Sequence, residues 1–319
     1  MDPATPPALP VDLTTFVGRS RELSDLAVLL ERSRLLTLTG AGGSGKTRLA
    51  SALAAARGGE RTDEAVVWVE LAPVEDLALV PAAVAEALGA TEELRMPDAA
   101  SLARFLGGRA FLLVLDNCEH VVDGAADLVD ALLRACPGLR VLATSREPLG
   151  VQGERSWLVP ALSLPASDEL PDVEASEAAR LFVERARDVA PDFALTPENA
   201  GAVADICRRL DGIPLALELA AARARVLAPG QIRARLDDAF RLLSSTSRTS
   251  VPRHRTLRAT MDWSHDLLAG DARALLRRLA VFRGGATLDA VEAVGAGEPV
   301  PDAGVLETLA GLVDRSLVS

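Results

Sequence analysis

Over the first half of the chain, short and nearly uninterrupted apolar runs alternate with stretches of helical spacing. The runs cover residues 35–39, 65–71, 111–116 and 139–144, and the helical stretches between them cover 47–57, 77–88 and 125–135. A strand that is apolar almost throughout, such as FLLVLD at 111–116, suits a parallel sheet buried under helices on both faces. The predicted order is βαβ, an α/β unit. Beyond a proline-marked segment at 160–171 the strand signals stop, and helical spacing covers 176–189, 197–210, 214–226 and 231–243. A polar loop, SSTSRTSVPRHR at 244–255, precedes a third helical group that begins near residue 256 and runs to the end. Pro3, Pro6, Pro7 and Pro10 make the start a flexible leader, because proline removes donors and blocks helix. The predicted division is a leader at 1–15, an α/β unit at 16–160, a helical unit at 161–245 and a further unit at 246–319. The final LVDRSLVS carries neither cap nor breaker, which reads as an end inside a domain. No internal repeat is visible.

Composition narrows the class. A length of 319 residues is about twice the usual domain size of roughly 150, so two or three compact units are expected. Hydrophobic residues at 49% and charged residues at 25% are ordinary globular values and exclude a mostly disordered chain. The 45 acidic side chains outnumber the 34 basic ones, and the net charge of -11 argues against nonspecific duplex binding by this segment. Cys118, Cys136 and Cys207 are far apart with no CxxC spacing, so neither a disulfide framework nor a zinc site is indicated. A reducing cytoplasm is the expected location. The N-terminus lacks the basic and apolar regions of a signal peptide, and no apolar run approaches the length of a membrane span, so no membrane partner is expected.

Of the basic residues, 33 are arginine and one, Lys46, is lysine. That lysine falls inside GAGGSGKT at 40–47, a match to G-x-x-x-x-G-K-[ST], between the apolar run at 35–38 and the helix-competent TRLASALAAA. Gly40, Gly42, Gly43 and Gly45, with Ser44 between them, let backbone N–H groups turn inward around phosphate oxygens, and the following helix offers its positive end. Lys46 supplies a compact ammonium for the β- and γ-phosphates where a planar guanidinium does not fit. Thr47 offers a hydroxyl to Mg²⁺, and Asp116, at the tip of FLLVLD, is the acidic partner expected on a neighbouring strand. The expected ligands are therefore ATP or ADP with Mg²⁺. Asn117 follows where many P-loop ATPases carry a second acid, and an amide accepts no proton from water, so slow hydrolysis is expected. Glu119 either substitutes for that acid or stabilises a helix dipole.

Several further segments match one family in order and spacing. They are FVGRSREL at 16–23, TGAGGSGKTRLA at 39–50, LLVLDNCEHV at 112–121, LATSREPL at 142–149, GIPLALELAAAR at 212–223 and TLRATMDWSHDLL at 256–268. On these segments the chain resembles a STAND-class, NB-ARC-type ATPase, and is most similar to the bacterial transcriptional-regulator branch of the AfsR and MalT type. The resemblance implies a P-loop domain, then a helical domain, then a winged-helix domain serving as a regulatory lid. It places Val17 and Arg19 by the adenine, Arg48 with the P-loop set, and Arg146 of TSRE as sensor of the terminal phosphate. In this view Lys46, Asp116 and Arg146 carry catalysis. Pro214 of GIPL packs on the base or sugar, or simply occupies the first turn of its helix. His120, His254 and His265 match no expected ligand position and read as solvated or structural, and the arginines at 248, 253, 255 and 258 form a basic run that reads as a solvated interdomain linker, with contact to phosphate or nucleic acid as the alternative.

The function this predicts is a nucleotide switch, closed around ADP and self-associating with ATP, with sensor or DNA-binding domains on a longer chain and no direct DNA binding by this segment. Two alternatives stand beside it: a continuously turning-over ATPase or small-molecule kinase, and a scaffold whose P-loop only stabilises the fold.

Overall fold

A computed structural model describes residues 9–10, 13–60, 64–90, 97–236, 262, 265, 268–282, 285–315 and 317–318. Five parallel strands form one sheet: β1 (Leu35–Thr39), β2 (Ala65–Glu70), β3 (Phe111–Asp116), β4 (Leu139–Thr144) and β5 (Arg155–Leu158), in the order β2-β3-β4-β1-β5. Leu112 and Val114 of β3 enter a core shared with α1 (Ser20–Arg32) and α2 (Lys46–Glu60). Leu113 and Leu115, the alternate positions, enter a second core with α3 (Val80–Ala87), α4 (Ala99–Leu106) and α5 (Val122–Ala135). This two-faced burial is why FLLVLD is apolar at successive positions.

The chain leaves β1 for the far edge, returns through β3 and β4 to β1, and then adds β5 on the other side. The carboxyl ends of β1, β3 and β4 consequently lie together, the place where open α/β sheets bind ligands. The register sets Leu38 beside Thr144 and Leu115 beside Ala143, so the tips of β3 and β4 flank the loop that follows β1.

The helical unit has its own core. It comprises α6 (Leu170–Ala175), α7 (Glu177–Val189), α8 (Pro197–Arg209), α9 (Pro214–Ala221) and α10 (Pro229–Arg233). Ser176 caps α7 by accepting from the Ala179 N–H at 3.2 Å, and Thr196 with Asn199 forms a capping box ahead of Pro197 on α8. Three more helices, α11 (Gly270–Leu279), α12 (Leu288–Gly295) and α13 (Val305–Asp314), close a fourth core around Leu275, Val305 and Leu312.

The observed strands follow the expected ones, with β2 ending one residue sooner. Elements without a prior signal are α1, α4, β5 and α6. The helix expected over 214–226 ends at Ala221 and tightens into a 3₁₀ turn at Ala222–Arg225. Of the helix expected over 231–243, only 231–233 are α-helical, as the end of α10, and 234–236 are not; the part from residue 237 lies outside the described residues, as do the loop at 244–255, His254, the arginines at 248, 253, 255 and 258, and the start of the third group. Among the described residues no helix is long and apolar enough to cross a membrane, and the three cysteines are buried and unpaired by disulfides.

Candidate nucleotide-binding site

The GAGGSGKT loop joins β1 to α2. Gly40, Gly43 and Gly45 adopt φ of 147°, 82° and 90°, conformations that a side chain would strain. The Lys46 ammonium donates to the carbonyls of Gly40 at 2.7 Å and Ala41 at 3.1 Å. It is thereby held at the loop's own rim, at the start of α2.

Asp116 gathers the strand tips. Its Oδ1 accepts from the Thr47 hydroxyl at 2.8 Å and the Thr144 hydroxyl at 2.6 Å, while Oδ2 accepts from the Asn117 side-chain amide at 2.9 Å. Burial holds the Asp116 carboxyl above its usual range; the hydrogen bonds from Thr144 and Thr47 pull the other way, and the charges of Glu119 and Glu70 add to the rise. Asn117 sits in the left-handed region at φ 65°, which Asn tolerates better than most residues. Its backbone N–H donates to Thr144 Oγ1 at 3.0 Å. The amide at this position therefore braces Asp116, where an acid would face it as a like charge.

Arg146 leaves the tip of β4 and is 6% exposed. Its Nε lies 3.5 Å from Glu119 Oε1, and the Glu119 side chain is itself only 5% exposed. Glu119 lies in a 3₁₀ turn, Cys118–His120, and one of its carboxylate oxygens faces Arg146. His120 Nε2 contacts the carbonyls of Leu71 and Val74 at 3.0 and 2.9 Å, a structural position.

Arg19, in the left-handed region at φ 60°, donates from Nη2 to the carbonyls of Ser44 at 2.7 Å and Pro160 at 2.9 Å. It braces the P-loop through the Ser44 carbonyl. Burial draws its pKa down, with Glu22 and Glu177 opposing. Its backbone N–H is held by Glu177 Oε1, from the first turn of α7, at 2.6 Å.

The helical unit closes the pocket. The Leu215 N–H donates to the Gly43 carbonyl at 3.2 Å, and Pro214, at the N-terminus of α9, comes beside Gly45. Glu218 on α9 pairs with Arg48 at 3.5 Å and with Arg185 of α7 at 3.1 Å. One pocket is lined by Val17, Arg19, Lys46 and Arg48 of the α/β unit and by Pro214, Leu215 and Glu218 of the helical unit, with Asn117, Glu119 and Arg146 also on its wall. Every site residue expected from sequence thus lies in this pocket or in the loop and strand tips that build it. Sequence reasoning missed Thr144, Glu177, Leu215 and Glu218. A polar residue ending an apolar strand was a signal for Thr144, and a lone acid in the apolar PLALELAA was one for Glu218.

Among the buried polar atoms here, Arg19 Nη1, Ser44 Oγ and Glu119 Oε2 have no hydrogen-bond partner among the described residues. The two donors suit phosphate oxygens, and the hydroxyl–carboxylate pair of Thr47 and Asp116 suits a hard divalent cation. The residues present fit a Mg²⁺-nucleotide.

Fold and site together define a P-loop NTPase carrying helical and winged-helix units. Residues 10–222 match the family model Novel STAND NTPase 1, and residues 268–319 match a winged helix-turn-helix domain. The chain belongs to the Novel STAND NTPase family. It is 48% identical over 293 residues to Rv0890c of Mycobacterium tuberculosis, whose name describes an HTH-type transcriptional regulator, covering 92% of this chain and 32% of that protein. The chain thus spans about a third of the length of that relative. It is 45% identical over 308 residues to the uncharacterized M. tuberculosis protein Rv0894, covering 96% and 75% of the two chains. Its fold resembles that of the Aeropyrum pernix ORC2 protein, with a TM-score of 0.57, 16% identity, and coverage of 97% and 89%.

Proposed function

We propose that this chain is an ADP/ATP-binding molecular switch with slow, Mg²⁺-dependent ATP hydrolysis that controls the conformation or self-association of a transcriptional or signalling regulator. The observation that carries this reading is the Leu215 to Gly43 hydrogen bond, which seats the helical unit directly on the phosphate loop. Whatever occupies the loop is felt by both units. In support, the relative Rv0890c carries the name of a regulator, and the structure of ORC2 is titled as holding ADPNP and ADP.

In this reading Gly40, Gly42, Gly43, Ser44, Gly45 and Lys46 grip the phosphates, and Arg19 and Arg48 support the loop. Val17 and Pro214 border the base, Thr47 and Asp116 hold Mg²⁺, and Arg146 senses the terminal phosphate. Mg²⁺ neutralises charge shared by the β- and γ-phosphates. Moving a two-state equilibrium from 1:99 to 99:1 takes about 5.5 kcal/mol of differential binding, so the γ-phosphate has to change several contacts. The Arg146–Glu119 pair is placed to be one of them.

The membership of an AfsR and MalT type branch, a cytoplasmic location and the presence of sensor domains on a longer chain belong to the same proposal. So does the absence of direct DNA contact by this segment. The outer face of α13 carries Leu306, Glu307, Val313 and Asp314, apolar and acidic side chains unsuited to a phosphate backbone. Because residues 268–319 match a winged helix-turn-helix domain, a binding assay on duplex DNA is the test, with no binding by this segment as the expected result.

The test is to denature the protein purified without added nucleotide and identify what it releases by chromatography. Bound ADP, with a size increase on exchange for ATP and Mg²⁺ that Lys46→Ala abolishes, is the expected result. Release of no nucleotide, and no binding on addition, sinks the reading.

A further inference from the structure

The hydrolytic machinery of this site lacks an evident base. Lys46 is a cation, Asp116 is tied up by two hydroxyls and an amide, and Asn117 spends its amide on Asp116. An amide cannot accept a proton from water at neutral pH. The remaining carboxylate on the phosphate side of the pocket is Glu119. It lines the pocket with Lys46, Asn117 and Arg146. Its side chain is 5% exposed, and only one of its two oxygens is engaged, Oε1 with Arg146 at 3.5 Å. The other, Oε2, is buried without a hydrogen-bond partner among the described residues. A buried, half-satisfied carboxylate oxygen is costly unless a donor meets it, and the donor a carboxylate at such a place accepts is a water.

We infer that Glu119 is the catalytic base of ATP hydrolysis, displaced three residues along the chain from Asp116, and that Arg146 aims it. This rests on the switch reading and adds a group for the chemical step. The guanidinium holds Oε1, leaving Oε2 to take the water's proton as its oxygen bonds to the γ-phosphorus. The bond from that phosphorus to the β,γ-bridging oxygen breaks, its electron pair leaves with ADP, and inorganic phosphate carries the water's oxygen. The proton passes from Glu119 to solvent when the site opens. One residue pair therefore serves both ends of the reaction. Arg146 meets the terminal phosphate while its partner Glu119 meets the water that attacks it. The 3₁₀ turn at Cys118–His120 makes this possible by turning residue 119 back over the strand tips, and His120 anchors the turn on the carbonyls of Leu71 and Val74.

The experiment is single-turnover hydrolysis of γ-labelled ATP with Mg²⁺ by the 319-residue protein, alongside titration with a fluorescent ADP. Glu119→Gln is expected to lower the hydrolysis rate about 10²-fold or more while changing ADP affinity less than about threefold. Glu119→Ala is expected to regain part of its rate on addition of formate, a small carboxylate that reoccupies the vacated place, which a residue that only holds Arg146 would not show. Should the glutamine variant misfold, Glu119→Asp carries the test, with a rate reduced at least about tenfold at retained affinity. A glutamine variant that hydrolyses at the wild-type rate overturns the inference. So does a wild type that binds ATP and never cleaves it, or an alanine variant whose loss matches that of Arg146→Ala and ignores formate. Failure of the wild type to bind nucleotide at all is a different result and removes the switch reading beneath it.

Discussion

The backbone N–H of Leu215 donates to the carbonyl of Gly43 across 3.2 Å, and a β-carbon placed on Gly43 would come within 2.8 Å of the Leu215 β-carbon. The helical unit and the phosphate loop are therefore in contact at a glycine that has no room to grow. Its φ of 82° adds a second restriction, because a side chain in the left-handed region costs about 1–2 kcal/mol.

Gly43→Ala is expected to push α9 away from the loop and to weaken ADP binding at least about tenfold, a loss of roughly 1.4 kcal/mol or more. Adding Leu215→Ala removes the clash but leaves the backbone strain. The double variant should recover part of the affinity, and the coupling between the two is measured by a double-mutant cycle on ADP dissociation constants. Strict additivity would mean that the contact does not transmit between the units.

How much of this was legible follows from burial. Strands β1 to β4 stand out because both faces are covered, so apolar residues run on without a break. β5 carries Arg155 and Ser156 on the sheet's edge, pairs with β1 alone and is largely exposed, so no hydrophobic pattern marked it. The phosphate loop was visible because its chemistry lies in residue types at fixed spacing. The partnership of Arg146 and Glu119 was not, because it depends on a turn that brings residues 27 apart in number onto one wall. The bracing role of Asn117 depends on a left-handed backbone that residue type alone does not announce.

Glu177 ties the start of α7 to the FVGR strap. It accepts from the backbone N–H of Arg19 at 2.6 Å and from the N–H and hydroxyl of Ser163, each at 3.3 Å. Burial pushes this carboxyl up, but those hydrogen bonds outweigh it and hold the pKa below its ordinary value. A carboxylate depressed on folding binds fewer protons in the native state than in the unfolded one. Its stabilising effect is therefore complete above the unfolded value of about 4.3 and disappears as pH falls through the native value. Glu177→Gln should lower the melting temperature at pH 7 and converge with wild type near pH 3. Equal gaps at both pH values would show that the charge is not what the strap senses.

A stability prediction far from the pocket concerns Arg57 of α2. Its guanidinium is paired with Glu64 and, at 2.7 Å, with Glu31; Arg57 and Glu64 have side chains 6% and 2% exposed. Removing one member leaves the other charged and buried, which costs about 3–5 kcal/mol. Arg57→Ala should therefore lower unfolding stability by that amount in a denaturant titration, whereas Glu31→Ala, at 47% side-chain exposure, should cost under about 1 kcal/mol.

The last prediction concerns the winged-helix unit. Arg315, just after α13, pairs with Glu147 at 3.3 Å, and Glu147 directly follows Arg146 on the loop leaving β4. The side chains are 34% and 27% exposed, so the pair contributes no more than about 1 kcal/mol. In a switch that small contribution matters: about 1 kcal/mol alters a two-state ratio roughly fivefold. In the proposed switch, a γ-phosphate that repositions Arg146 would move the neighbour that pairs with Arg315, and the nucleotide's identity would reach the third unit through two adjacent residues. Glu147→Arg and Arg315→Glu should each raise the hydrodynamic radius and protease sensitivity of the ADP-bound protein, and combining them should restore both. High salt should mimic the single variants, since a half-exposed pair is screened. If the double reversal behaves like the singles, the winged helix is held by something other than this pair.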